Sequence, residues 1–123
     1  MFKLTSLNLN GIRSATSKGL EDWLIQSKPD CICVQELKAQ VADMSGRFEE
    51  LAGLKGHFHF AEKKGYSGVG VYSRHEPSDV IIGYGSKEFD AEGRFIELRF
   101  DRPGRPLLPK LSFWPSSTRT CWP

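Results

Sequence analysis

No run of apolar residues in this 123-residue chain approaches the ~18 that a membrane span requires. The opening Met1-Phe2-Lys3-Leu4 lacks the charged-then-apolar layout of an export signal. These two absences predict a cytoplasmic protein with no membrane partner. Cysteine is scarce too: Cys31, Cys33 and Cys121 are the only three. An odd count without an export signal excludes a disulfide framework and predicts reduced thiols. Cys31 and Cys33 lie two apart in an apolar run, so they read as buried thiols on one strand face. A metal site there would need ligands that no second cysteine pair supplies. There is no Gly-x-Ser-x-Gly elbow and no Cys/His pairing. Gly65, Gly68 and Gly70 fall in the wrong order for a dinucleotide site and lead into a strand rather than a helix. Repeats and low-complexity runs are absent as well.

Acidic residues are missing from one stretch. Residues 102–123 hold Arg102, Arg105, Lys110 and Arg119 and no acid, within a chain of 17 basic and 15 acidic residues. Removing those four leaves 13 basic against 15 acidic residues in 1–101, a net of −2, although the whole chain is +2. The basic balance is therefore a property of the tail and gives no argument for nucleic-acid binding by the body. Five of the seven prolines also lie there, at 103, 106, 109, 115 and 123, and proline resists a central strand. The chain thus divides into 1–101, with regular periodicity, and 102–123, an aberrant proline-rich basic tail foreign to the fold.

What is present is a globular α/β pattern. Hydrophobic residues at 39% and charged residues at 26% suit a folded, soluble domain. Residues 2–9 carry apolar side chains on both phases, as in a strand covered on both faces. Ser14, Thr16 and Ser17 offer helix N-caps, and Leu20, Trp23 and Leu24 follow at helical spacing. Pro29 closes that helix, and residues 30–35 make a buried strand ending at Glu36. Such a βαβ unit has parallel strands. Asn8, Asn10 and Glu36 therefore finish at one sheet edge, where ligands gather in open α/β sheets. Asp43 caps a second helix with Met44, Phe48 and Leu51 inward. Strands follow at 57–61, from Val69, at 79–82 and at 94–101, with a turn at Asp90-Ala91-Glu92-Gly93.

Glu36 directly follows Cys31-Ile32-Cys33-Val34-Gln35. A carboxylate there needs a metal, a basic neighbour or water, and the plain alternative is a solvated strand end. Asn8 is its complement, since an amide oxygen can ligate a cation or orient a carboxylate. One carboxylate with an amide and waters suits Mg²⁺ and does not suit Zn²⁺. Arg13, Lys38, Lys63, Lys64 and Tyr66 sit at loop ends near the same edge, where cations position a phosphate backbone. Each lysine taken singly reads better as ordinary solvated surface. His57 and His59 share a strand face without a third ligand and read as structural, and His75 at a strand end says little.

Four motifs, in order, carry a resemblance. Leu7-Asn8-Leu9-Asn10-Gly11-Ile12-Arg13 resembles an opening N-x-N-G-(I/L)-R. Pro29-Asp30-Cys31-Ile32-Cys33-Val34-Gln35-Glu36-Leu37-Lys38 resembles a P-D-…-Q-E-x-K element. Ala61 to Val71, with Gly65-Tyr66-Ser67-Gly68-Val69 at its centre, resembles a G-Y-S-G-V loop. Phe89-Asp90-Ala91-Glu92-Gly93-Arg94 resembles a D-x-E-G-R turn. Over residues 2–101 the chain is similar to the exodeoxyribonuclease III type of apurinic/apyrimidinic endonuclease, in the endonuclease/exonuclease/phosphatase superfamily. The resemblance implies the N-terminal half of a two-sheet α/β sandwich with outer helices. It implies Mg²⁺-dependent cleavage of duplex DNA beside an abasic site, with 3′→5′ exonuclease work, Mn²⁺ as a substitute ion and usually a monomer. It assigns the metal to Glu36, supported by Asn8, and the DNA backbone to Arg13, Lys38, Lys63 and Tyr66.

The family's later elements are a Y-x-P-x-G tyrosine, a G-D-x-N pair and an Asp-His pair, which orient the attacking water and stabilise the transition state. None of them falls in 1–101, so no catalytic residue beyond the metal site is assigned. The expectation is a truncated enzyme of weak or no activity. The alternatives are a non-catalytic remnant binding Mg²⁺ or DNA weakly, or a phosphoinositide or small-phosphodiester substrate, which the DNA-repair motifs disfavour. Residues 102–123 read as out-of-frame or truncated-gene sequence. Sequencing the locus tests this: a downstream frame in another phase is expected, and an in-frame stop with no such frame would refute it.

Overall fold

The computed structural model describes residues 3–83, 85, 87–100, 111–113 and 121–122, with the backbone alone for Phe89 and the last two segments. Two sheets organise the chain. The first has strand order β1-β2-β5-β4-β3, from β1 (Leu4–Asn8), β2 (Cys31–Gln35), β3 (Glu50–Leu51), β4 (Leu54–His59) and β5 (Val69–Ser73). The second has order β6-β7-β8-β9, from β6 (Asp79–Ile82), β7 (Ile96–Arg99), β8 (Leu111–Phe113) and β9 (Cys121–Trp122). The helices are α1 (Ile12–Ser17), α2 (Leu20–Ser27), α3 (Val41–Met44) and α4 (Lys87–Asp90). The 101/102 boundary expected from composition lies at the edge of the described residues, and most of the tail lies outside them.

β1 and β2 pair in parallel, with Leu4 opposite Cys31 and Asn8 opposite Gln35, as the βαβ reading required. All five residues of β2 are buried, and its side chains alternate between two cores. Ile32 and Val34 join Ile12, Leu20, Leu24, Leu37 and Tyr72 on the helix-covered face. Cys31 and Cys33 join Val69, Val71, Ile96, Leu98 and Phe100 between the sheets. Period-two alternation explains this division, since neighbouring side chains point to opposite faces. Both faces of the first sheet are thus occupied, one by helices and one by the second sheet.

Several local expectations need correction. The helix expected between the first two strands is split in two at Lys18-Gly19, where Gly19 has φ 99°. Neither half has a side-chain N-cap. Thr16 and Ser17 donate instead to the carbonyls of Ile12 and Ser14, each at 2.8 Å. Leu20 and Leu24 are buried, but Trp23 is 40% exposed. The helix expected through Leu51 stops at Met44. Gln40 is its N-cap, with Asp43 in a reciprocal capping box. Beyond it, Glu49 accepts from the Gly46 amide at 2.7 Å. The Phe48 carbonyl takes the Tyr72 hydroxyl, at 2.5 Å. Met44, Phe48 and Leu51 are nevertheless all buried, so the apolar pattern located the core while misjudging the element. The fourth strand begins at Leu54, earlier than 57, and one helical turn precedes the turn at 91–92.

The thiols also divide. Cys31 is free and buried, and burial pushes its thiol up to about 11. Cys33 is disulfide-bonded, contrary to the expectation of reduced thiols. Its strand face meets the second sheet, a proximity that spacing along the chain does not reveal.

Asp30 ties together the sheet edge remote from Glu36. Its carboxylate accepts the Lys3 amide at 2.7 Å and faces His75 Nε2 at 2.9 Å, while its carbonyl accepts the Arg74 amide. The Lys3 hydrogen bond, then His75 and Arg74, hold its carboxyl below the ordinary 3.8 against the opposing effect of burial. A carboxyl lowered on folding stabilises above its unfolded value, and that contribution vanishes as pH falls through the folded value. Melting temperature should therefore fall as the solution is acidified through 3.8 and below. Asp30→Asn should lower the neutral-pH melting temperature and flatten this acid limb. Superimposable pH–Tm curves for wild type and variant would refute the assignment.

Candidate functional site

Parallel pairing carries two loops away from one sheet edge side by side. The Leu9 amide donates to the Gln35 carbonyl at 2.9 Å, Gly11 to Glu36 at 2.8 Å, and Ile12 to Leu37 at 2.9 Å. Asn8 and Asn10 are exposed beside half-buried Glu36. The Asn8 amide oxygen accepts from the Asn10 backbone at 3.0 Å, a local turn that fixes its orientation. Its second lone pair remains an acceptor site.

Glu36 and Lys38 both lie at positive φ, 54° and 51°. Left-handed backbone costs a non-glycine residue roughly 1–2 kcal/mol. Leu37 between them is fully buried, which contributes roughly 1.5–3 kcal/mol. Its amide donates to Gly68 at 3.1 Å, and that of Lys38 to Ser67 at 2.8 Å. These interactions are of the size needed to hold both strained residues. The result turns the Glu36 and Lys38 side chains away from the core that captures Leu37.

A polar network joins the pieces. Lys38 Nζ donates to Asn10 Oδ1 at 2.5 Å. Arg13 Nη2 lies 3.4 Å from the Lys38 carbonyl, and Nη1 lies 3.5 Å from Asp43. The structure thus brings together Asn8, Asn10, Arg13, Glu36 and Lys38, and adds Asp43. Among the described residues, no group of three or more His, Cys, Asp or Glu is placed to hold a metal ion. The donor chemistry here is one carboxylate with a neighbouring amide oxygen. That fits a hard cation that keeps most of its waters, as Mg²⁺ does, and does not fit Zn²⁺.

Lys63 and Tyr66 form a second group, joined to the first through the Leu37–Gly68 and Lys38–Ser67 bonds. The Tyr66 hydroxyl accepts from Arg94 Nη2 at 2.8 Å and donates to Glu92 Oε1 at 3.1 Å. Arg94 Nε lies 3.6 Å from Glu92 Oε2. Lys63 Nζ lies 5.3 Å from the centre of the Tyr66 ring, within cation–π range. Arg94 and Glu92 were not singled out as site residues, although their turn was a recognised motif. The missing information was contact between segments 28 residues apart.

His59 Nδ1 lies 2.7 Å from the Phe95 carbonyl and links β4 to the entry of β7. Burial lowers the His57 imidazole, and its Nε2 is buried without a hydrogen-bond partner among the described residues.

Known proteins share the sequence and fold of this chain. Residues 5–120 match the model of the Endonuclease/Exonuclease/phosphatase family. The chain is 40% identical over 100 residues to an exodeoxyribonuclease of Bacillus subtilis, covering 80% of this chain and 38% of that protein. It is 33% identical over 100 residues to a DNA-(apurinic or apyrimidinic site) endonuclease of Dictyostelium discoideum, covering 81% and 27%. Among solved structures it resembles an AP endonuclease from Archaeoglobus fulgidus, with TM-score 0.67 and 33% identity over 81% of this chain and 37% of that one. The chain thus spans well under half the length of these relatives.

One glycine fixes the second group. Gly93 has φ 60°, and a Cβ there would sit 2.3 Å from the Ala61 amide nitrogen. The 91–93 turn lies directly on residues 60–62, and the Glu62 amide donates to Ala91 at 2.8 Å. Gly93→Ala should cost at least about 2 kcal/mol from backbone strain and overlap. Denaturant unfolding checks this, and a loss under about 0.5 kcal/mol would show that the turn is not held there.

Proposed function

Because the chain belongs to the endonuclease/exonuclease/phosphatase family, we propose that it carries the metal- and DNA-holding part of a Mg²⁺-dependent DNA-repair phosphodiesterase of exodeoxyribonuclease III type. The observation that carries this reading is the shared edge, where Asn8 ends β1, Glu36 directly follows the adjacent parallel β2, and Lys38 reaches across to Asn10. Glu36 would hold the ion, with Asn8 supporting it. Mg²⁺, or Mn²⁺ in its place, would supply charge stabilisation at a phosphate or leaving oxygen. Arg13, Lys38, Lys63 and Tyr66 would track the backbone of duplex DNA carrying abasic sites or 3′ ends, and Arg94 extends that set. Cations of this kind set register and affinity without reading sequence.

Turnover is a separate matter. The motifs that supply the family's water-orienting residues do not occur within the stretch that resembles it. The chain spans 38% or less of the relatives named above. For these 123 residues taken alone, binding is expected to outlast catalysis, with cleavage weak or nil. A second reading is a non-catalytic remnant that holds Mg²⁺ or DNA only weakly.

An abasic-duplex cleavage assay with Mg²⁺ tests the first reading. Very low cutting is expected, and robust cutting abolished by Glu36→Gln would overturn the expectation of impaired turnover. Mn²⁺ binding followed by electron paramagnetic resonance tests the metal assignment without relying on activity. Glu36→Gln should weaken it about ten-fold or more, and unchanged affinity would remove Glu36 from the site. Lys38→Gln should weaken duplex binding equally across sequences and shallow the salt dependence by about one phosphate.

A further inference from the structure

We propose that Glu92 is an internal stand-in for a DNA phosphate, holding Arg94 and the Tyr66 hydroxyl in the free protein and yielding them when a backbone phosphate arrives. This rests on the DNA-binding reading above. Four charged or polar groups converge here: Arg94, Lys63, the Tyr66 hydroxyl and the Glu92 carboxylate. Glu92 is the one acid among them: its Oε1 accepts the Tyr66 hydroxyl at 3.1 Å and its Oε2 lies 3.6 Å from Arg94 Nε, so its two oxygens face the two groups that a phosphate's oxygens would take.

Exposure decides whether exchange is feasible. The side chains of Arg94 and Glu92 are 35% and 42% exposed, so solvent and a polyanion can both reach the pair. An ion pair this open shifts an equilibrium by only roughly two- to five-fold. Duplex DNA brings many phosphates and gains from counterion release. The phosphate therefore wins the contest for Arg94, less the cost of displacing Glu92. The turn backbone is pinned through Gly93 and Ala91. The carboxylate can consequently leave by side-chain rotation alone, without unfolding its loop. Glu92 then sets how much affinity this corner lends to non-specific binding and keeps the cations from engaging a single free anion.

The test is fluorescence anisotropy of the whole 123-residue chain on a short duplex with an abasic analogue, in EDTA across a salt series. Glu92→Gln should bind roughly two- to five-fold tighter, with a salt slope steeper by about one phosphate. Glu62→Gln removes the same charge from an exposed position on the adjoining loop and should gain distinctly less. In an Arg94→Gln background the Glu92→Gln gain should vanish. Thermal melts of each variant separate a binding change from a folding change. Unchanged or weaker binding by Glu92→Gln, or a gain no larger than that of Glu62→Gln, overturns the proposal while DNA binding by the wild type stands. If neither wild type nor Glu92→Gln holds the duplex, both the proposal and the DNA-binding reading fall.

Discussion

The ladder between β1 and β2 runs parallel, so both strands release their chains at the same edge of the sheet. An antiparallel pairing would have put Asn8 and Glu36 at opposite ends of the ladder. Because the pairing is parallel, Gly11 and Ile12 also continue the hydrogen bonds past the strands, onto Glu36 and Leu37. Every other feature of the site is attached to this continuation. Arg13 follows it on one side and Lys38 on the other. The Tyr66 loop hangs from it through Gly68 and Ser67.

Burial makes that edge rigid. β2 is covered on both faces, with helices against Ile32 and Val34 and the second sheet against Cys31 and Cys33. A strand buried on both faces cannot slip by one residue without exchanging its two sets of side chains. Glu36 is therefore delivered at a fixed height. The positive φ at Glu36 and Lys38 is local strain held by Leu37, whose burial is worth about as much as the strain costs. Strain kept up by packing beside a polar network is typical of sites where orientation matters more than local comfort.

Charge is arranged by position rather than by total. Residues 1–101 carry a slight excess of acid, yet Arg13, Lys38, Lys63 and Arg94 collect on linked loops of one edge. Acids accompany them: Asp43 with Arg13, and Glu92 with Arg94. Net charge could not have disclosed this, since the tail reverses its sign.

The sequence by itself determined the βαβ start, the buried strand ending at Glu36, the alternation of β7 and the family motifs. These follow from local periodicity and from residues a few positions apart. It also located Met44, Phe48 and Leu51 in the core while giving them the wrong secondary structure. Hydrophobic pattern records burial, but the chain leaves the helix at Ser45 and turns at Gly46, where φ is 71°, and the Tyr72 hydroxyl then holds the Phe48 carbonyl. The division of the first helix at Gly19, the left-handed turns at Glu36 and Lys38, the Cys33 disulfide and the Tyr66–Arg94–Glu92 cycle were decided by tertiary structure alone. Each depends on groups far apart in the chain meeting at a fixed distance, and no local preference carries that distance.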